Sequence, residues 1–162
     1  MKRHPALVPL SRQHHDGLAL GVMIERGLRD GAGPAGTAHL KRLREQALDL
    51  WQLEYHGHFE VEERIVFPAA RQAGQPALVD TLVAEHEAIR LQFEALERAP
   101  SSEAGPLLHQ LGTALVRHIR TEERVLFQAM QAAMDEPQLE ALGRAVSDAL
   151  PTLCLSLGSA RG

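Results

Sequence analysis

The chain has 162 residues, of which 44% are hydrophobic and 23% charged, and its net charge is −4. These values are typical of one globular domain, and the scattered basic residues argue against a nucleic-acid or membrane-surface partner. The single cysteine excludes an internal disulfide framework. The sequence shows no secretory signal and no apolar run of membrane-spanning length. We therefore expect a cytoplasmic protein, and its nine histidines are the unusual feature.

Turn-forming residues divide the chain into five predicted helices. They span about residues 11–30, 38–68, 76–98, 106–134 and 137–150. Ser11 is a suitable N-cap for the first helix, and GAGPAG (31–36) predicts a loop. The second helix is expected to end or kink near Pro68 and to stop at GQP (74–76), and Pro151 should end the fifth. No segment alternates with the period of a strand, so the predicted fold is all-α, with a bundle core over about residues 10–134 and an accessory helix at 137–150.

Apolar residues follow one another at alternating steps of three and four along the long predicted helices. The stripe of the second helix is Leu48, Trp51, Tyr55, His58, Glu62, Ile65 and Ala69. The stripe of the third is Val79, Leu82, His86, Ile89, Phe93 and Leu96. The stripe of the fourth is Leu108, Leu111, Leu115, His118, Glu122, Val125 and Ala129. This spacing is typical of antiparallel helices in a four-helix bundle, and the short loops favour an up-down-up-down order.

A ten-residue motif occurs twice, as HFEVEERIVF (His58–Phe67) and HIRTEERVLF (His118–Phe127). Each copy places a histidine four residues before a glutamate, and such residues share one face of a helix. The spacing alone is weak evidence, because His56 and Glu60 also satisfy it and point about 200° away. The motif is significant because its two copies have matching sequence surroundings and because both lie on the inward-facing stripe of their helix.

Burying imidazoles and carboxylates at one level of a bundle costs several kcal/mol unless a partner compensates them. A metal ion supplies that compensation, and nitrogen and carboxylate donors suit iron, manganese or zinc. The predicted donors are His15 or His14, His58, Glu62, His86, His118 and Glu122. Six donors are too many for one tetrahedral zinc. They suit two octahedral ions bridged by the two glutamates, with positions left for a bridging oxygen, water or a small ligand.

The first helix offers two adjacent candidates, His14 and His15. Shifting the third helix by seventy-one residues places His86 over His15, and a stripe through Leu18 and Val22 supports that register. A step of four residues from Leu10 supports His14 instead. Side chains of adjacent helical residues diverge by about 100°, so we expect only one of them to bind the ion and favour His15.

The order of these motifs resembles the hemerythrin-like (HHE cation-binding) family. That pattern has an early histidine, His-x3-Glu-Glu before a Phe-Pro segment, a Glu-His pair and a second His-x3-Glu-Glu. The matching stretches over about residues 10–134 are His14 or His15, HFEVEERIVFP (58–68), Glu85–His86 and HIRTEERVLF (118–127). The resemblance implies a four-helix bundle with two non-haem iron ions, joined by an oxo or hydroxo bridge and held by the six donors. Manganese and zinc are less favoured, and so is a ferritin-like site, whose Glu-x-x-His spacing is absent at these positions.

The chain departs from the oxygen-carrying hemerythrins in two places. Arg90 stands where they have a second histidine of the third helix, and His118 and Glu122 replace their final His-x4-Asp. Simple reversible oxygen carriage is therefore not expected. The resemblance leaves two functions open. One is binding of, or reaction with, oxygen, nitric oxide or peroxide at the di-iron centre, and the other is iron or oxygen sensing or iron handling without turnover. Whether the protein is an enzyme stays open.

Other residues near the stripes allow two interpretations. Tyr55 either hydrogen-bonds at the metal site or is a core residue with its hydroxyl paired. Glu54 and Glu85 either orient the histidines or are solvated, and Glu63 and Glu123 are expected to pair with arginines. The fifth helix has an apolar stripe that either caps the bundle or forms a homodimer, comprising Leu139, Leu142, Val146 and Leu150.

Overall fold

The structure is a computed structural model that describes residues 2–30 and 34–155, so residues 31–33 of the predicted loop lie outside it. The described residues form helices and no strand, which confirms the all-α prediction. A 3-10 turn at Pro5–Leu7 is followed by α1 (Val8–Asp30), α2 (34–72), α3 (Pro76–Arg98), α4 (104–133) and α5 (Glu136–Leu155). Helices α1 to α4 form the bundle, in which α1 also contacts α4. None of the described helices is long and apolar enough to cross a membrane.

The first helix begins earlier than predicted, and Ser11 does not cap it. The 3-10 turn leads directly into α1, and the ring of His4 accepts a hydrogen bond from the backbone N–H of Ala6. Pro5 at the start of this turn has the φ angle that a first helical turn requires. The Ser11 hydroxyl instead donates a 2.6 Å hydrogen bond to Glu123 of α4.

Prolines mark the helix ends less strictly than the sequence predicts. Helix α2 begins at Pro34 rather than near Ala38, and it continues through Pro68 to the stop at Gly74, whose φ of +85° favours glycine. Helix α5 likewise continues through Pro151 to Leu155. An interior proline removes one helical hydrogen bond. Pro151 lies on an exposed part of α5, where the carbonyl left without that bond can reach water.

Within residues 2–30 and 34–155, three π-helical turns interrupt the long helices, at Trp51–Tyr55, Glu62–Val66 and Glu122–Leu126. The last two begin at Glu62 and Glu122, the glutamates that lie four residues after the histidine in each copy of the repeated motif. A π turn accommodates one extra residue, so the buried stripe beyond it moves by one position. The residues buried there are Val66, Ala70, Leu126 and Met130. The predicted Val125 is instead 50% exposed, because a 3-4 spacing carried through the π turn loses its phase.

Two apolar clusters fill the bundle, one on each side of a polar layer. In α1 the first cluster includes Leu10 and the second Leu20, with a buried histidine between them. Three residues of the α5 stripe, Leu142, Val146 and Leu150, belong to the first cluster, so the fifth helix caps the bundle. Gly143 permits this contact, because a Cβ there would lie 2.8 Å from the Cα of Ala6.

Candidate metal centre

Six polar side chains meet between the two apolar clusters, and each is at most 1% exposed. They are His14, His58, Glu62, His86, His118 and Glu122. Their donor atoms form two groups of four, and within each group the atoms lie within 4.8 Å of one another. The first quartet is His14, His58, Glu62 and Glu122, and the second quartet is Glu62, His86, His118 and Glu122. The two glutamates belong to both.

In the first quartet the imidazoles point at one another and at the carboxylates. The Nε2 atoms of His14 and His58 are 3.0 Å apart. His14 Nε2 lies 3.2 Å from Glu122 Oε2, and His58 Nε2 lies 3.2 Å from Glu62 Oε1. Two ring nitrogens and two carboxylates therefore converge on one small volume.

The second quartet repeats this arrangement on the other side. His86 Nε2 lies 3.3 Å from Glu62 Oε2, and His118 Nε2 lies 3.4 Å from Glu122 Oε2. Glu62 thus directs Oε1 towards the first quartet and Oε2 towards the second. A carboxylate in this position can bridge two cations.

The other ring nitrogen of every cluster histidine contacts a hydrogen-bond acceptor. The Nδ1 contacts are His14 to Glu123 at 2.7 Å, His58 to Gln13 at 2.8 Å, His86 to Glu63 at 2.7 Å and His118 to Glu85 at 2.9 Å. A neutral imidazole that donates from Nδ1 presents the lone pair of Nε2 to the centre. Metal-ligating histidines usually have such partners, which fix the tautomer and the ring orientation.

The centre also contains buried polar atoms with no hydrogen-bond partner. These are both carboxylate oxygens of Glu62 and of Glu122, and Nε2 of His86 and of His118. Buried polar groups in folded proteins are nearly always paired, since desolvation is costly. Cations bound by both quartets would satisfy these atoms, so the residues present fit a metal centre.

Without a metal, protons provide part of the compensation. Burial lowers the pKa of His14, but the adjacent carboxylates of Glu122, Glu123 and Glu62 outweigh this effect and hold it well above its ordinary value. Burial likewise opposes protonation of His86, yet Glu62 and Glu63 raise its pKa to about 9. Burial raises the pKa of Glu62, but the neighbouring histidines hold it well below its usual range. A cation entering this centre must therefore displace protons.

The structure corrects the prediction for the first helix, because His14 enters the centre and His15 is exposed. The internal repeat relates α1 and α3 by seventy-two residues rather than seventy-one. This shift pairs Leu7 with Val79, Leu10 with Leu82, His14 with His86 and Ile24 with Leu96, all of which are buried. Val22, which supported the rejected register, is 46% exposed.

Glu63 and Glu123, which directly follow Glu62 and Glu122, do more than form the predicted ion pairs with arginines. Glu63 pairs with Arg90 at 2.9 Å and Glu123 pairs with Arg3, as expected. Each also receives the Nδ1 hydrogen bond of a cluster histidine, which the sequence reasoning missed. The Glu-Glu dipeptide kept in both copies of the motif was the available signal.

Two further residues complete the surroundings of the centre. Glu85 has the orienting role that the sequence left open, because it receives the hydrogen bond of His118 and lies 3.3 Å from Arg117. Gln13 has the corresponding role for His58 and was missed, although the shift of seventy-two residues places it over Glu85. Tyr55 is a core tyrosine whose hydroxyl donates a 3.0 Å hydrogen bond to the backbone carbonyl of Gln13.

A helical bundle whose core holds overlapping clusters of histidine and glutamate donors is a metal-binding bundle. Residues 7–130 match the hemerythrin HHE cation-binding domain. The chain therefore belongs to this family of cation-binding domains. A search of curated proteins found no match.

Proposed function

We propose that the chain binds two non-haem iron ions and that the centre binds or reacts with oxygen, nitric oxide or peroxide. The observation that carries this proposal is the pair of overlapping quartets that share Glu62 and Glu122. Each quartet offers two imidazole nitrogens and two carboxylates, a donor set that suits iron. Four nitrogens and four bridging oxygens leave coordination positions open around two octahedral ions.

In this proposal His14 and His58 would hold one ion, His86 and His118 the other, and the two glutamates both. Bound iron supplies Lewis-acid and redox chemistry at the open positions. The chain's own residues orient the imidazoles through their Nδ1 hydrogen bonds. These hydrogen bonds hold the Nε2 atom of each imidazole directed into the buried centre, where it would bind the ion.

The surroundings of the centre support a small ligand rather than a large substrate. The ring of Phe59 stacks on His86 with 3.6 Å between centroids. Phe127 stacks on His14 at 5.7 Å, and Phe67 lies 5.2 Å from His86. These walls and the burial of all six donors favour a ligand of two or a few atoms.

A second function, iron handling or sensing without turnover, is supported by the unpaired carboxylate oxygens of Glu62 and Glu122. Without a cation these buried groups destabilise the bundle, so metal occupancy would control its stability. The four bundle helices all contribute donors, and loss of metal would therefore loosen the whole domain.

Spectroscopy of the iron-loaded protein distinguishes the two functions. The protein is loaded with ferrous iron without oxygen, and its absorption is recorded after separate addition of oxygen, nitric oxide and peroxide. New absorption bands in the wild type and in His56→Ala, but not in His118→Ala, support reaction at this centre. Iron that raises the melting temperature yet gives no band with any of the three reagents supports the sensing function.

A further inference from the structure

The two quartets differ in the groups that accept the Nδ1 hydrogen bonds of their histidines. In the second quartet both acceptors are carboxylates, Glu63 for His86 and Glu85 for His118. In the first quartet one acceptor is a carboxylate and the other is the neutral side-chain amide of Gln13. The second quartet therefore has one more negative charge directly behind its imidazoles.

The internal repeat shows that this difference lies at a single pair of related positions. The other hydrogen-bonded groups occur as like pairs in the two halves, with Glu63 related to Glu123 and each cluster histidine related to another. Gln13 of α1 and Glu85 of α3 are the related positions that differ. The two halves of the repeat also differ at Tyr55, whose hydroxyl donates a hydrogen bond to the backbone carbonyl of Gln13. The counterpart of Tyr55 in the repeat is Leu115, which has no hydroxyl.

A carboxylate behind an imidazole makes the ring a stronger electron donor than an amide does. Neighbouring arginines do not cancel the difference in charge, because each quartet has one of them. Arg3 pairs with Glu123 behind the first quartet, and Arg90 pairs with Glu63 behind the second. Arg117, which lies beside Glu85, is 69% exposed and screened by water. The difference between the two sets of imidazoles is thus retained.

We propose that the second quartet binds a divalent cation more tightly than the first and fills before it, and that Gln13 and Glu85 are positioning residues that set this order. This inference rests on the proposed binuclear site. Replacing the hydrogen-bond partner of a ligating histidine usually changes metal affinity about 10- to 100-fold. We therefore expect the two affinities to differ by about tenfold or more.

The test is a titration of the metal-free protein with Zn²⁺, a diamagnetic probe, followed by nitrogen-15 NMR of the histidine rings. The Nε2 signals of His86 and His118 should shift during the first equivalent, and those of His14 and His58 during the second. Filling in the reverse order, or parallel shifts of all four signals, would overturn the inference while leaving two bound ions. Failure of all four rings to coordinate would overturn the proposed binuclear site as well.

Two nearly isosteric variants test the named residues. Gln13→Glu should increase the affinity of the first quartet about tenfold and bring the two steps together. Glu85→Gln should weaken the second quartet by a similar factor, and Gln13→Glu combined with Glu85→Gln should reverse the order of filling. A merely structural effect of Gln13→Glu would lower affinity, so the predicted gain is diagnostic. An unchanged order in the double variant would contradict the proposal.

Discussion

The contact between Gly17 of α1 and Tyr55 of α2 allows a quantitative test of how closely these two helices pack. A Cβ at residue 17 would lie 2.1 Å from the Tyr55 hydroxyl oxygen and 2.7 Å from Ile119 Cδ1. The Tyr55 ring is fully buried against His58 and Phe59, so it has little room to retreat. Gly17→Ala should therefore force these helices apart or displace the tyrosine.

The expected cost of Gly17→Ala combines three effects. Overpacking costs about 1–3 kcal/mol, and loss of the Tyr55 hydrogen bond costs about 1 kcal/mol. Alanine returns about 1 kcal/mol through its higher helix propensity. The free energy of unfolding of the metal-free protein should fall by about 1–3 kcal/mol, which lowers the melting temperature by roughly 2–12 °C for a chain of this size.

The other half of the repeat indicates which second substitution should compensate for Gly17→Ala. There, Ile89 occupies the position related to Gly17, and Leu115 the position related to Tyr55. Tyr55→Leu alone leaves a cavity and should cost about 2–4 kcal/mol. Because Gly17→Ala fills part of it, the double variant should be more stable than the sum by at least about 1 kcal/mol in urea unfolding. Additive costs, or a Gly17→Ala protein as stable as the wild type, would refute this account of the packing.

Three further predictions concern the metal and the cap. His58→Ala and His118→Ala should each lose bound metal on elemental analysis, whereas His56→Ala should retain it; equal loss in all three would contradict the helical phase. Because protons compete for His86, whose pKa is about 9, apparent affinity for Zn²⁺ should rise from pH 6 towards pH 9, and a constant affinity would exclude proton displacement. Gly143→Ala should lower the free energy of unfolding by about 1–3 kcal/mol, because the new Cβ would meet the main chain of Ala6 rather than the end of a flexible side chain; an unchanged urea midpoint would show that α5 does not pack there.

The fold class and most of the centre could be predicted because the repeated motif lies on long helices. A 3-4 spacing determines which face of a helix is buried, and it placed His58, Glu62, His86, His118 and Glu122 in the core. His58, Glu62, His118 and Glu122 lie before or at the start of the π turn in their own copy of the motif, and His86 lies on α3, which is regular α-helix from Pro76 to Arg98.

The 3-4 spacing could not predict the remaining features of the bundle and the centre, for physical reasons. The π turn that begins at Glu122 moves the buried position from Val125 to Leu126, and no residue type in the repeat predicts the extra residue in this turn. The choice between His14 and His15 depended on a one-residue shift between weakly similar helices. The role of Gln13 depends on the packing of α1 against α2, which local sequence does not encode.

The central claim is that two overlapping quartets hold two ions, and the iron content of matched variants tests it most directly. After anaerobic loading and removal of free metal, elemental analysis should give two irons per wild-type chain and two for His15→Ala, but about one for His14→Ala. One ion per wild-type chain, or equal loss of iron in the two histidine variants, would contradict the binuclear site and its assignment to His14.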